Sequence, residues 1–199
     1  CGGHAKVVAA MCEANQYQSM GFSDDKYDGT KITVYHKYQL LGKILDIDQY
    51  PGICVVNSVG DCRVRHRISK KLAFLDLQWI NCIHPAAQIS PTAKLGKGNI
   101  ICYGAMINAD AVLGDFNLIN TMAVVEHDCQ VGHFNHLAPK SVMCGGVSLG
   151  NENLLGVGST VIPGKKIGHN NIIGAMTVII HDISDDKTVV GIPGKILVK

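Results

Sequence analysis

The sequence predicts two units in one chain: an α/β unit over residues 1–80 and a three-sided parallel β-helix over residues 81–199. Three observations carry this. An aliphatic residue or Met stands at every sixth position from Ile83 to Ile179, seventeen times without a slip. Gly96, Gly114, Gly132, Gly150 and Gly168 recur every eighteen residues, and Asn99, Asn117, Asn135, Asn153 and Asn171 follow each by three. Residues before about 80 lack the hexad and read as α/β.

In the α/β unit, CGGHAKVVAAMCEAN is a pair of glycines followed by a helix-like run. QSMGFSDD reads as a strand ending in Asp24 and Asp25. GICVVNSVGDCRVRHRISKKL repeats the theme, with an apolar strand over 53–56, a loop through Gly60 and Asp61, and a basic helix. Glycines at a strand-to-helix turn let a phosphate reach a helix N-terminus, and an acid about twenty residues on can hold a ribose hydroxyl. Gly2, Gly3 and Asp24 fit that spacing. The pattern fits a dinucleotide and a nucleotide sugar equally, and a purely structural turn is the alternative. The strand expected before the glycines is absent, which points to a natural N-terminus upstream of Cys1.

In the second unit the period dictates the architecture. One inward aliphatic residue per six gives one short strand per face, and three hexads close one coil. Coils then stack at the strand spacing of about 4.8 Å. Each repeat ends in Asn, which tolerates the left-handed backbone that a sharp corner requires. The final ISDDKTVVGIPGKILVK leaves the hexad and is expected to cap the last coil.

Composition narrows the function. Hydrophobic residues make up 47% and charged residues 17% of the 199, which describes a packed protein. A net charge of +2 supplies no electrostatic footprint for nucleic acid. No apolar run reaches the roughly 20 residues a membrane span needs, so the expectation is a soluble, cytoplasmic protein. Eight cysteines without a C-x-x-C pair point to reduced thiols.

The densest chemistry lies in VEHDCQVGHFNH at 125–136, where His127, Asp128, Cys129, His133 and His136 are all ligand-type side chains. The hexad separates them. His133 has the register position of His127 one face on, and is expected to be solvated or at an interface. Cys129 has the small corner position of Asn117, Ala123 and Asn135, so packing is the expected role. His84, His169 and His181 read as surface residues. Gly145, eighteen residues after His127, should stack one coil beyond it, where its amide can serve as an oxyanion donor. Gly146 leaves room for a substrate arm.

GGHAKVV, FSDD, SVGDCRVR, the hexads, VVEHDCQVGHFNH and VVGIPGK together resemble one family along nearly the whole chain. It comprises the bacterial hexapeptide-repeat acetyltransferases that N-acetylate UDP-4-amino-4,6-dideoxy sugars, as in bacillosamine-type pathways, and relatives that O-acetylate sialic acid. The resemblance implies a left-handed β-helix, a Rossmann-like domain holding the UDP part, acetyl-CoA as co-substrate, and a homotrimer with active sites between subunits. His127 looks like the general base, Asp128 like the carboxylate that raises its basicity, and Asn120 like a polar residue lining the site. His136, Gly145 and Val157 look like acetyl-CoA contacts. Gly2, Gly3, His4, Asp24, Asp25 and Gly60 match nucleotide-sugar positions. Asp128 stands where relatives have Glu.

Histidine suits proton removal from an attacking amine, because its unperturbed pKa of about 6.5 lies near operating pH. The expected activity is therefore direct acetyl transfer to the C4 amine of a UDP-linked amino sugar in bacterial glycan biosynthesis, without metal. Three alternatives stand beside it: sugar O-acetylation, a zinc enzyme of the gamma carbonic anhydrase type, and a non-catalytic scaffold.

Overall fold

The computed structural model describes residues 2–29, 33–34 and 37–197. From residue 82 to residue 179 the chain winds as a parallel solenoid in which every strand pairs with the strand eighteen residues away. Face 1 runs from Cys82–Ile83 to Ile172–Ile173, face 2 from Gln88–Ile89 to Val178–Ile179, and face 3 from Lys94–Leu95 to Lys166–Ile167. The second residue of each strand is the hexad aliphatic. From Ile101 to Ile179 all of these are buried, while Ile83, Ile89 and Leu95 pack half-buried against the open first coil. Each full burial stabilises by about 1.5–3 kcal/mol.

Corners obey a stricter rule than the sequence suggested. The left-handed residue is the one before the Asn position, not the Asn itself. Positive φ recurs every six residues from Gly98 to Met176, including Phe116, Met122, Asp128, Phe134 and Glu152 at φ 55–60°. From Phe116 onward, the N–H of each such residue bonds the carbonyl nineteen residues back, as in Phe116 to Lys97 at 2.8 Å and Asp128 to Ala109 at 3.0 Å. That bond offsets the left-handed strain of about 1–2 kcal/mol.

The asparagines do different work. Asn99, Asn117, Asn135, Asn153 and Asn171 are fully buried, and each side-chain oxygen accepts the backbone N–H of the residue one coil on. They form an internal ladder at the corner between faces 3 and 1. The glycines on this corner are required sterically, since a Cβ at Gly96, Gly114, Gly132 or Gly150 would lie 2.5–2.8 Å from the carbonyl oxygen of the next glycine.

The first unit contains helix α1 (Gly3–Ala14), strands β1 (Gly21–Ser23), β2 (Thr33–Val34) and β3 (Tyr38–Gly42), strand β4 (Cys54–Val55), helix α2 (Cys62–Lys71) and strand β5 (Gln78–Trp79). Its strands form two separate sheets, β1-β3-β2 and β4-β5. An apolar cavity of about 530 Å³ lies between them, lined by Val8, Phe22, Val55, Ile68 and Leu72 among others. Val8 and Met11 of α1 bury Ile100 and Leu118 of face 1, and Asn15 Nδ2 donates to Ile83 O at 2.8 Å. The C-terminal segment completes face 1: Thr188–Val190 pairs with Ile172–Ile173 and Lys195–Ile196 closes the edge.

Asn135→Ala removes the acceptor for both Asn153 N–H (2.9 Å) and Asn153 Nδ2 (3.1 Å). We expect a loss of about 2–4 kcal/mol in denaturant-induced unfolding, the cost of stranding two buried donors. A loss below about 0.5 kcal/mol would show that the ladder is dispensable.

Candidate active site

Backbone amides at the first position past each corner fall outside the strand ladder and need other acceptors. At the corner between faces 3 and 1, side chains supply them in a column. Asp115 Oδ1 accepts Lys97 N–H, His133 Nδ1 accepts Asp115 N–H, Asn151 Oδ1 accepts His133 N–H, His169 Nδ1 accepts Asn151 N–H, and Asp185 Oδ1 accepts His169 N–H, all at 2.7–3.0 Å. His133 and His169 are thus structural acceptors. The sequence predicts a solvated or interface position for His133 and a surface one for His169; the need for an acceptor arises only once the coils stack.

The corner between faces 2 and 3 lacks this column. His127, Gly145 and Pro163 occupy the equivalent positions, and neither Gly nor Pro has an accepting side chain. Gly146 N–H bonds His127 O at 2.9 Å, and Gly145 O accepts Gly164 N–H at 3.0 Å. For the Gly145 N–H no acceptor occurs among the described residues. A free amide therefore lies beside His127. Gly146 is left-handed (φ 68°), and a Cβ there would meet nothing within 4 Å.

His127 Nδ1 lies 2.8 Å from Asp128 Oδ2, with both side chains nearly two-thirds exposed. The carboxylate accepts from Nδ1–H, which leaves Nε2 as the free base. This hydrogen bond holds the imidazole pKa above its ordinary value, with Glu126 adding to the effect. Asp128 reaches back because it is the left-handed corner residue, φ 60°. Gly145 makes room for the ring: a Cβ there would fall 2.6 Å from His127 Cε1 and Nε2. Cys129 is fully buried, its thiol donates to Cys144 O at 3.2 Å, and burial raises its pKa. It packs, as expected.

Asn120 and Val157 sit one face away, at the corner between faces 1 and 2. Asn120 Nδ2 lies 3.1 Å from His136 Nε2. His136 projects from face 1 under the first unit, where it bonds the Gly60 backbone. Burial, reinforced by Arg65 and His4, lowers its pKa to about 4. Neutral His136 therefore takes the Asn120 amide at Nε2, with the Gly60 backbone beside its ring. A single chain thus brings Asn120, His136, His4 and Gly60 together, and His127, Asp128 and Gly145 together elsewhere.

Gly2, the N-cap of α1, has no capping side chain, and the first turn of α1 holds no acid. Added side chains at Gly2, Gly3 and Gly60 would enter open space. An open, uncapped helix N-terminus is suited to an anion. Asp24 Oδ1 accepts Lys26 N–H at 3.0 Å. Asp25 bonds Ile44 N–H at 3.1 Å and Lys71 Nζ at 3.0 Å, so it also braces the turn after β3 and α2.

One residue that the sequence reading passed over joins these parts. Arg65 is 1% exposed, although RVRHR read only as a basic helix. Its signal was the 62, 65, 69 spacing, which puts Cys62, Arg65 and Ser69 on the buried face of α2.

Among the described residues no three His, Cys, Asp or Glu side chains converge as metal ligands. No helix there is long and apolar enough to cross a membrane.

The PglD N-terminal domain family matches residues 1–72. The chain is 35% identical to perosamine N-acetyltransferase from Caulobacter crescentus, solved as a histidine-to-asparagine mutant with CoA and GDP-perosamine. The match covers 100% of this chain and 94% of that one at a TM-score of 0.92. The acetyltransferase domain of PglB from Neisseria gonorrhoeae FA1090, in complex with acetyl coenzyme A, is 33% identical over 98% of this chain and 95% of that one, TM-score 0.92. WeeI from Acinetobacter baumannii AYE, at 23% identity and TM-score 0.89, shares the fold. An uncharacterised protein of Acanthamoeba polyphaga mimivirus is 38% identical over 100 residues, and the chain spans only 19% of that curated relative. Identity above 30% along essentially full length, on a left-handed hexapeptide β-helix with a PglD-type N-terminal domain, makes this chain a member of the hexapeptide-repeat sugar N-acetyltransferases.

Proposed function

We propose that the chain transfers the acetyl group of acetyl-CoA to the C4 amine of a UDP-linked 4-amino-4,6-dideoxy sugar, with His127 as general base. The observation that carries this reading is His127, oriented by Asp128 at 2.8 Å and packed against a glycine whose amide is free. The amine nitrogen attacks the thioester carbonyl carbon. His127 Nε2 takes the amine proton, the Gly145 amide faces the developing oxyanion, and the C–S bond breaks to release CoA. Relatives that carry CoA or acetyl coenzyme A support the donor. Gly146 leaves space for its arm, and Val157 and His136 are its further contacts in this reading. Gly2, Gly3, His4, Asp24, Asp25 and Gly60 hold the nucleotide sugar.

The trimer of this reading has its support in face 2. Outward residues there are Gln88, Met106, Val124, Val142, Thr160 and Val178, whereas face 3 presents Lys94, Val112, Gln130, Ser148 and Lys166, and the first coils of face 1 are covered by α1. Face 2 also separates the His127 corner from the Asn120 corner. Packing face 2 against a neighbouring subunit would bring His127 and Gly145 of one copy to Asn120, His136 and Val157 of another. Acetyl-CoA and nucleotide sugars as substrates favour a cytoplasmic role in bacterial glycan synthesis.

A second nucleotide has one observation in its favour, the GDP-perosamine bound by the Caulobacter relative. Acetyl-CoA consumption measured with UDP-amino sugars, a GDP-amino sugar and free sialic acid separates the readings. We expect turnover with a nucleotide amino sugar, and turnover of sialic acid alone would replace N-acetylation by O-acetylation.

Two variants test the base. Asp128→Asn removes the group that raises the His127 pKa. Because the neutral ring is the active form, the acid limb of the kcat/KM profile should move to lower pH, with a lower plateau; an unmoved limb assigns that ionisation elsewhere. Gly145→Ala displaces the ring and should lower turnover about 100-fold, the scale of a misplaced catalytic group, with thermal stability little changed.

A further inference from the structure

Arg65 is a buried guanidinium whose partners are five backbone carbonyls and, at 3.9 Å, the Cys62 sulfur. Nε donates to Phe116 O at 2.8 Å; Nη1 donates to Val59 O at 2.8 Å and Gly60 O at 3.0 Å; Nη2 donates to Phe134 O at 3.0 Å and Asn135 O at 2.9 Å. Among the described residues no carboxylate pairs with it. The nearby acid, Asp61, uses Oδ1 to cap α2 at Val64 N–H, 2.8 Å. Cys62 is the other ionisable neighbour, its thiol held neutral by burial. A permanent positive charge therefore lies at the base of the first unit, held by carbonyl dipoles, with the Cys62 thiol at 3.9 Å from Nη2 and the Asp61 carboxylate nearby.

The geometry around it is directional. Peptide groups are planar and trans, so a carbonyl aimed at Arg65 turns the N–H of the same peptide the other way. With Val59 O and Gly60 O both drawn to Nη1, the amides of Gly60 and Asp61 face away from the guanidinium, on the side where Gly60 is open. The Gly60 backbone also lies against His136, which is bonded in turn to Asn120. His4 stands at the same place, with Nε2 buried and without a hydrogen-bond partner.

We propose that Arg65 is the positioning residue of the nucleotide-sugar site: it locks the Val59–Gly60 turn with amides presented to the diphosphate and couples that turn, through Gly60 and His136, to Asn120. The proposal rests on the nucleotide-sugar reading above. It adds a fixed cation that touches no substrate and serves two ends. It charges and shapes the turn that meets the phosphates, and it adds to the burial that lowers the His4 and His136 pKa values, so that their ring nitrogens remain hydrogen-bond partners at physiological pH. A guanidinium suits this better than an ammonium, because five donors in a rigid fork can meet five carbonyls from three segments.

The experiment compares wild type with Arg65→Met and Arg65→Lys by calorimetric titration with UDP, GDP and acetyl-CoA, and follows the His136 ring by NMR across pH. In Arg65→Met, affinity for the nucleoside diphosphate should fall about tenfold or more, the worth of the turn amides that lose their fixed orientation toward the charged diphosphate, while acetyl-CoA affinity stays within about twofold. The His136 titration should move up from about 4. Arg65→Lys keeps the charge but offers three donors, so His136 should stay low while diphosphate affinity falls about threefold to fivefold. If the Met variant does not fold, the Lys variant decides by the same readouts. Equal losses for both ligands, or unchanged diphosphate binding, overturn the proposal. A wild-type protein that binds neither UDP nor GDP overturns the nucleotide-sugar reading instead, so the two failures are distinguishable.

Discussion

Strand pairing in a stacked coil leaves some corner amides without a partner, and where their acceptors come from decides what each corner is for. On the corner between faces 3 and 1, two columns of side chains solve the problem. The buried asparagines act from within, and Asp115, His133, Asn151, His169 and Asp185 act from outside. That corner is closed by hydrogen bonds. On the corner between faces 2 and 3 no such column forms, because Ala109, Gly145 and Pro163 offer no acceptor and His127 Nδ1 is engaged by Asp128. An amide left free beside an oriented imidazole is tolerable on an exposed corner, and it is what acyl transfer requires.

The closed corner also carries the joint between the two units. Helix α2 lies along it: Arg63 Nε bonds Asn170 Oδ1 at 2.9 Å, His66 bonds Glu152 at 2.8 Å and stacks on Phe134, and Arg65 gathers the carbonyls of two coils. Phe134 stacks on Phe116 at 5.0 Å, and Trp79 meets Phe116 edge-on at 5.1 Å. Phe116 and Phe134 are left-handed corner residues, and their strain is repaid by this column. The first unit is thereby registered on the coils, and Gly60 arrives over His136.

The chemistry then divides by corner. His127, Asp128 and Gly145 share one edge of face 2, while Asn120, His136 and Val157 lie toward the other, and the exposed residues between are mostly apolar. In our reading the site belongs to two copies of the chain. The low pKa of His136 and the raised pKa of His127 fit that division, because one ring is buried as a neutral link and the other is exposed to take a proton.

The β-helix was legible because its constraint is local and repeated: one inward aliphatic per six residues, from Ile83 to Ile179, leaves a period that composition alone cannot mimic. The glycine turns, α1, β1 and α2 were legible from local propensity and spacing, and His127 with Asp128 from motif and register. Other assignments depended on contacts far apart in sequence. The left-handed corner shifted from Asn117 to Phe116 because the Asn side chain is needed inside the coil. His133 and His169 became acceptors because amides eighteen residues earlier needed them. Arg65 looked like one charge among several, since its five carbonyl partners come from Val59, Gly60, Phe116, Phe134 and Asn135. The sequence by itself determined the periodic solenoid and the candidate base, because both follow from short-range spacing; only the tertiary structure decided which amides stay free and which charges are buried, because those depend on what the next coil and the neighbouring unit supply.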